Sequence, residues 1–136
     1  MARIVLTDAF VSVGGVDLSD RVASVTLSET FDIVETTAFS STAAKTRVAG
    51  LEDNSITLEF HQDYATSEVE QTIYPLLGTA AAVIVKPNGS VTSAFNPSYT
   101  CSAIISEWTP INGSVGELAT ASVTWPVTGA ITKAVV

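Results

Sequence analysis

Apolar and polar residues alternate along most of this chain, and the alternation predicts strands. Phe10–Gly14 opens the pattern, and the Gly14-Gly15 pair marks a hairpin turn before Val16-Asp17-Leu18. Arg21–Glu29 puts Val25 and Leu27 on one face and Ser24, Thr26 and Ser28 on the other. Asp32–Ala38 continues in an extended, β-branched composition. Ser55–Gln62 alternates again, with Ile56, Leu58 and Phe60 inward and Thr57, Glu59 and His61 outward. Ala81–Lys86 is apolar enough for a central strand and stops at the turn signal Pro87-Asn88-Gly89. Val91–Phe95 fits strand or loop. Tyr99–Thr109 places Cys101, Ala103 and Ile105 on one side, Leu118–Trp125 is the last strong strand, and Ala130–Val136 is a short extended tail.

One segment breaks this rhythm. Val69, Ile73, Leu76 and Leu77 form a helical stripe, Ser67 and Glu70 have capping-box spacing, and Gly78 follows as a stop. Pro75 distorts the last turn. The expected fold is therefore mainly β: an antiparallel β-sandwich or flattened barrel in a single domain, residues 1–136. It carries one short flanking α-helix (about Ser67–Leu77) and a long loop or hairpin arm (about Phe39–Asp53).

That arm is the least ordinary part of the chain. Small residues, among them Ser40, Ser41, Ala43 and Ala44, surround Lys45 and Arg47, and no catalytic motif lies in it. Long loops in compact domains are functional or disordered. A long arm without chemistry suits a self-assembling subunit, and a solvated, disordered loop is the plainer alternative.

Composition sharpens this picture. Charged residues make up only 15% of the 136 residues, against about 25% in an average globular protein, and Ser and Thr fill the polar positions. A hydroxyl-rich strand face carries little repulsion and can lie against another subunit. The net charge of −8 argues against the phosphate-neutralising mode of nucleic-acid binding. An acidic surface beside DNA would instead weaken adhesion. The start MARIVLTDAF does not read as a signal peptide, and no apolar run is long enough to span a bilayer, so the chain is expected to be made in the cytosol.

Candidate chemistry is sparse. His61 is the only histidine, and with Asp63 two residues on it lacks a motif-marked nucleophile, so an exposed strand histidine is the simpler reading. Cys101 is the only cysteine and sits in an apolar pattern as a small buried side chain. Glu52-Asp53-Asn54 and Asp17-Leu18-Ser19-Asp20 lack metal-loop spacing and read as turns. Trp108, Trp125 and Tyr99 could form a sugar platform, but strand aromatics more often serve core or interface. No catalytic, cofactor or metal residues are assigned.

The order of segments resembles the tail tube proteins (major tail proteins) of long, flexible-tailed, siphovirus-type bacteriophages, especially those of actinobacterial phages. The stretches that carry it are LTDAFVSVGGVDLSDRVASVTL, FDIVETTAF, KTRVAGLEDNSITLEFHQDY, YPLLGTAAAVIVKP and NPSYTCSAIISEWTPINGSVGELATASVTWP. They cover nearly the whole chain. The resemblance implies a non-enzymatic virion protein: six subunits form a ring, and stacked rings form the hollow tube through which DNA passes without specific binding. Expected partners are further copies of the chain, a tape measure protein, and tail-tip and terminator proteins. The expected location is the virion tail, after assembly in the host cytoplasm.

In that frame Phe39, Ser40, Ser41, Lys45, Arg47 and Leu51 are candidate contacts to a neighbouring subunit. Glu29, Glu35, Glu59 and Asp63 are candidate acidic residues of the lumen. A monomeric carbohydrate-binding or adhesin-like sandwich, or another tail component of similar fold, is the competing reading.

Overall fold

A computed structural model describes residues 3–39 and 43–136. Seven strands form one sheet: β1 (Phe10–Val13), β2 (Val16–Asp17), β3 (Val22–Glu35), β4 (Arg47–His61), β5 (Ala80–Lys86), β6 (Ser98–Ile104) and β7 (Thr120–Ala134). Their order is β2-β1-β5-β6-β7-β4-β3, with every pairing antiparallel. Gly14 and Gly15 both adopt positive φ, the conformation a two-residue hairpin turn requires, and Val13 pairs with Val16 across it.

β7 switches partners along its length. Residues 120–127 pair with β4 and residues 127–134 pair with β6. A register shift between Thr100 and Ser102 of β6 accompanies the switch, with Gly129 at positive φ. A strand that changes sheets at a bulge is how one sheet turns a corner and packs on itself. The result is a three-stranded half and a five-stranded half, with β7 in both, sharing one core, a sandwich-like sheet that is not closed into a barrel.

The inward positions expected from alternation are those in the core. Ile56, Leu58 and Phe60 are fully buried, as are Ala103 and Ile105, and Cys101 is buried beside them. Val25 and Leu27 pack against this cluster from β3. Phe60 meets Trp108 edge-on at 5.8 Å between ring centroids and Trp125 at 6.3 Å. The helix is shorter than expected. α1 (Val69–Ile73) buries Val69 and Ile73, and a 3-10 turn over Tyr74–Leu76 accommodates Pro75. The expected capping box does not form: Ser67 has φ 63°, Glu68 takes the cap position, and no side chain caps the helix.

Residues 105–119 form a strap instead of prolonging β6 to Thr109. Glu107 accepts hydrogen bonds from the Thr124 N–H through its carboxylate (2.8 Å) and from Trp125 Nε1 through its carbonyl (2.9 Å). Thr124 N–H therefore points away from β4. Pro126, two residues on, has its missing donor on the same side, where no ladder bond is lost. Trp108 Nε1 donates to Glu70 at 2.6 Å, which ties the strap to α1.

Phe60 stands where both halves of the sheet and the strap meet. Phe60→Ala should cost about 3–5 kcal/mol. Urea denaturation followed by tryptophan fluorescence checks this, because both indoles lie against that ring.

Candidate assembly interface

The arm is a hairpin built from two long strands. The expected strands Arg21–Glu29 and Asp32–Ala38 are one continuous β3, since Thr30 and Phe31 pair with Asp53 and Glu52. The second half of the expected loop, from Arg47, belongs to β4, so Arg47 and Leu51 lie on a strand and only Phe39 and Lys45 remain in the tip. Ser40 and Ser41 lie outside the described residues. A register shift between Phe31 and Ile33 bends the arm. The sequence signal for a continuous hairpin was weak because the shift breaks period-two alternation and Gly50-Leu51-Glu52-Asp53 resembles a turn.

Asn54 marks the root of the arm. Beyond it toward Arg47, β4 pairs with β3 alone, while β7 departs toward β6. Its side chain is 2% exposed and bridges the fork. It donates to Glu52 Oε2 (2.8 Å) and Gly129 O (3.3 Å), and accepts from Thr30 N–H (3.3 Å). Nothing in the spacing around Asn54 distinguished it from a turn residue. Past this root the arm exposes apolar side chains: Phe31, Ile33, Val48 and Leu51 are between 52% and 79% exposed. Exposed apolar residues this close together mark a contact surface.

The outer face of the sheet is different. Ser24, Glu59 and Ser122 stand in one row across β3, β4 and β7, and Thr26, Thr57 and Thr124 in the next, with Thr57 and Thr124 hydroxyls 3.2 Å apart. The face is small, hydroxylated and nearly uncharged, with Glu59 as the carboxylate in these rows.

The four acidic candidates do not come together. Glu59 is on the outer face, whereas Glu29 keeps the parity of Val25 and Leu27 and lines an apolar groove on the other side. Glu35 is exposed near the arm tip, opposite Arg47. Asp63 lies past the end of β4 and does not share a strand face with His61. It binds Arg21 at 2.8 Å, and Glu68 lies 3.9 Å from the same guanidinium. Among the described residues every ion pair involves Arg21.

Trp125 is fully buried and Trp108, on the strap, is half-buried against Phe60, so the three aromatics do not form an exposed sugar platform. Among the described residues no three metal-binding side chains converge, and no helix is long and apolar enough to cross a membrane.

No protein-family model matches the chain, and no curated protein does. Solved structures do. A chain from the virion of a native gene transfer agent particle superposes with a TM-score of 0.76 at 13% identity, over 97% of this chain and 99% of that one. The fold is shared with subunits of tail-bearing particles. A chain of the sheath–tube complex of an extracellular contractile injection system, in its extended state, gives a TM-score of 0.71 at 14% identity, over 98% and 93% of the two chains. A chain from the tail of an empty gene transfer agent particle, refined with C6 symmetry, gives 0.63 at 16% identity over 82% and 81%.

The Arg21–Asp63 contact makes a pH prediction. The Ala65 backbone N–H and then the Arg21 guanidinium hold the Asp63 carboxyl below its ordinary value of 3.8. A depressed folded-state value stabilises the fold above the unfolded value, and this contribution is lost as pH falls through the folded one. Asp63→Asn should therefore flatten the fall of stability with pH below 3.8 and change little of that slope at neutral pH. Urea midpoints measured from pH 2 to pH 7 read this out.

Proposed function

We propose that this chain is the structural subunit of a hollow phage-type tail tube, assembled as hexameric rings that stack into a conduit for DNA. The observation that carries the reading is the full-length superposition on a chain from a gene transfer agent virion. The surfaces support it. β3 offers a long outer edge that has no strand partner among the described residues, and a ring would satisfy its backbone groups. The hydroxyl-paved outer face suits a lumen, because it offers DNA few charges to bind and one carboxylate, Glu59, to repel it. The apolar arm, with Lys45 and Arg47 near its tip, suits contact with a neighbouring ring. The tube would be built in the host cytoplasm around a tape measure protein and closed by tail-tip and terminator proteins. A siphovirus-type, actinobacterial origin fits the sequence resemblance. The likeness to a sheath–tube complex favours a second version, a tube enclosed by a sheath.

Purified protein should form rings or tubes of uniform diameter as concentration rises. Negative-stain microscopy beside sedimentation velocity tests this, and a strict monomer at every concentration, with or without a tail-tip complex, refutes it. Glu59→Lys should leave tube assembly intact and slow DNA delivery by particles that carry it. Delivery at the normal rate would remove Glu59 from the lumen.

A further inference from the structure

Two adjoining cavities are parts of one seam. Where the ends of the curled sheet face each other without pairing, β3 and the segment before β1 enclose a polar cavity of about 570 Å³. Asp8, Asp17, Asp20 and Glu68 line it, and the one cation beside them is Arg21, which pairs with Asp20 at 3.2 Å and lies 3.9 Å from Glu68, so the carboxylates outnumber it. Leu6, Ala9 and Val25 continue into an adjoining cavity of about 450 Å³, floored by Leu27, Val85 and Tyr99. Lys86 at its rim is already engaged, with Nζ 4.6 Å from the Phe10 ring centre and donating to Ser90 O at 3.0 Å.

We propose that this seam receives the arm tip of a second copy of the chain. The inference rests on the tube reading and names the surface that the arm would meet. Charge is the first argument. The seam joins an apolar floor to an acidic mouth, and the far end of the arm presents the matching chemistry: exposed Phe39 and Lys45 in the tip and exposed Arg47 at the start of β4. Neither cation is in an ion pair among the described residues.

Geometry is the second argument. The seam lies along the first half of β3, at Val22–Leu27, and the tip lies beyond its far end. The paired strand past Thr30 carries the tip roughly 20 Å from the root at about 3.3 Å per residue. A hairpin paired along that length cannot fold back, so the tip reaches only another molecule's seam. Tip and seam at opposite ends of one strand make a heterologous contact, which repeats head to tail and builds an open stack.

Disulfide trapping between two variants tests the contact. Ala44→Cys lies at the tip and Ala23→Cys in the seam, both exposed, whereas the native Cys101 is buried. Mixing the two proteins under mild oxidation should give a cross-linked pair at least tenfold above either alone. Adding K45E/R47E to the tip protein should remove most of the product, and adding D8K/D20K to the seam protein should restore it, with circular dichroism showing each variant folded. Tubes that form without the cross-link, or cross-linking that ignores the charge reversals, overturn the seam and leave the tube reading standing. A cross-link obeying the charges without tubes keeps the contact and refutes the tube. Neither product at the highest soluble concentration overturns both.

Discussion

The architecture depends on β7 serving two partners in turn. Its first half needs β4 and its second half needs β6, with Val127 common to both ladders. Backbone groups buried in a core cannot be left without hydrogen bonds. The switch is possible only because Glu107 takes up the Thr124 N–H, Pro126 has no donor to lose, and Asn54 follows the departing strand to the Gly129 carbonyl. These residues take up or remove polar groups that the fold of the sheet across itself would otherwise strand. The same event releases β4 from β7, and the arm is the part of β3 and β4 that projects once that third strand has gone.

From this follows a division of labour between faces. Period two sends Ile56, Leu58, Phe60, Val123 and Trp125 into the core and Thr57, Glu59, Ser122 and Thr124 outward. The outer face is thus fixed as small and hydroxylated by the strands that fill the core with large side chains. Beyond Asn54 there is no core to fill, and the apolar residues Phe31, Ile33, Val48 and Leu51 remain exposed. Nothing inside this molecule packs on them, and the proposed contact with a second copy would use that exposed apolar surface.

Much of the body was legible in the sequence because burial imposes alternation. The inward faces of β4 and β6 and the burial of Cys101 follow from that rule, whereas the Gly14-Gly15 turn and the one short helix followed from their own local signals. The arm was located but misread in its second half, because strand positions solvated on both faces lose the period that reveals strands. The capping box failed for another reason. Ser67 and Glu70 have the right spacing, but Glu70 is drawn to Trp108 Nε1 and Ser67 lies in a left-handed turn. Sequence alone did not separate the acidic candidates: parity places Glu29 on the face opposite Glu59, and Asp63 lies beyond the strand, held by Arg21. Asn54 and Glu107 carried no signal, since their roles exist only once β7 has changed partners.

An edge as long as β3 is a hazard unless something selects its partner. β3 carries no Lys and no Pro, the usual edge protections, but it carries Glu29, Asp32 and Glu35 along its exposed half. Two such edges pairing with each other would bring carboxylates into register, and like charges opposite one another destabilise a sheet. The symmetric dimer is therefore disfavoured by the strand's own sequence. What remains favourable is an edge or groove of different character, and the first half of β3, Val22–Leu27, carries no carboxylate of its own. An edge that repels its own copy is biased toward heterologous contact, and heterologous contact is the kind that rings and stacks require.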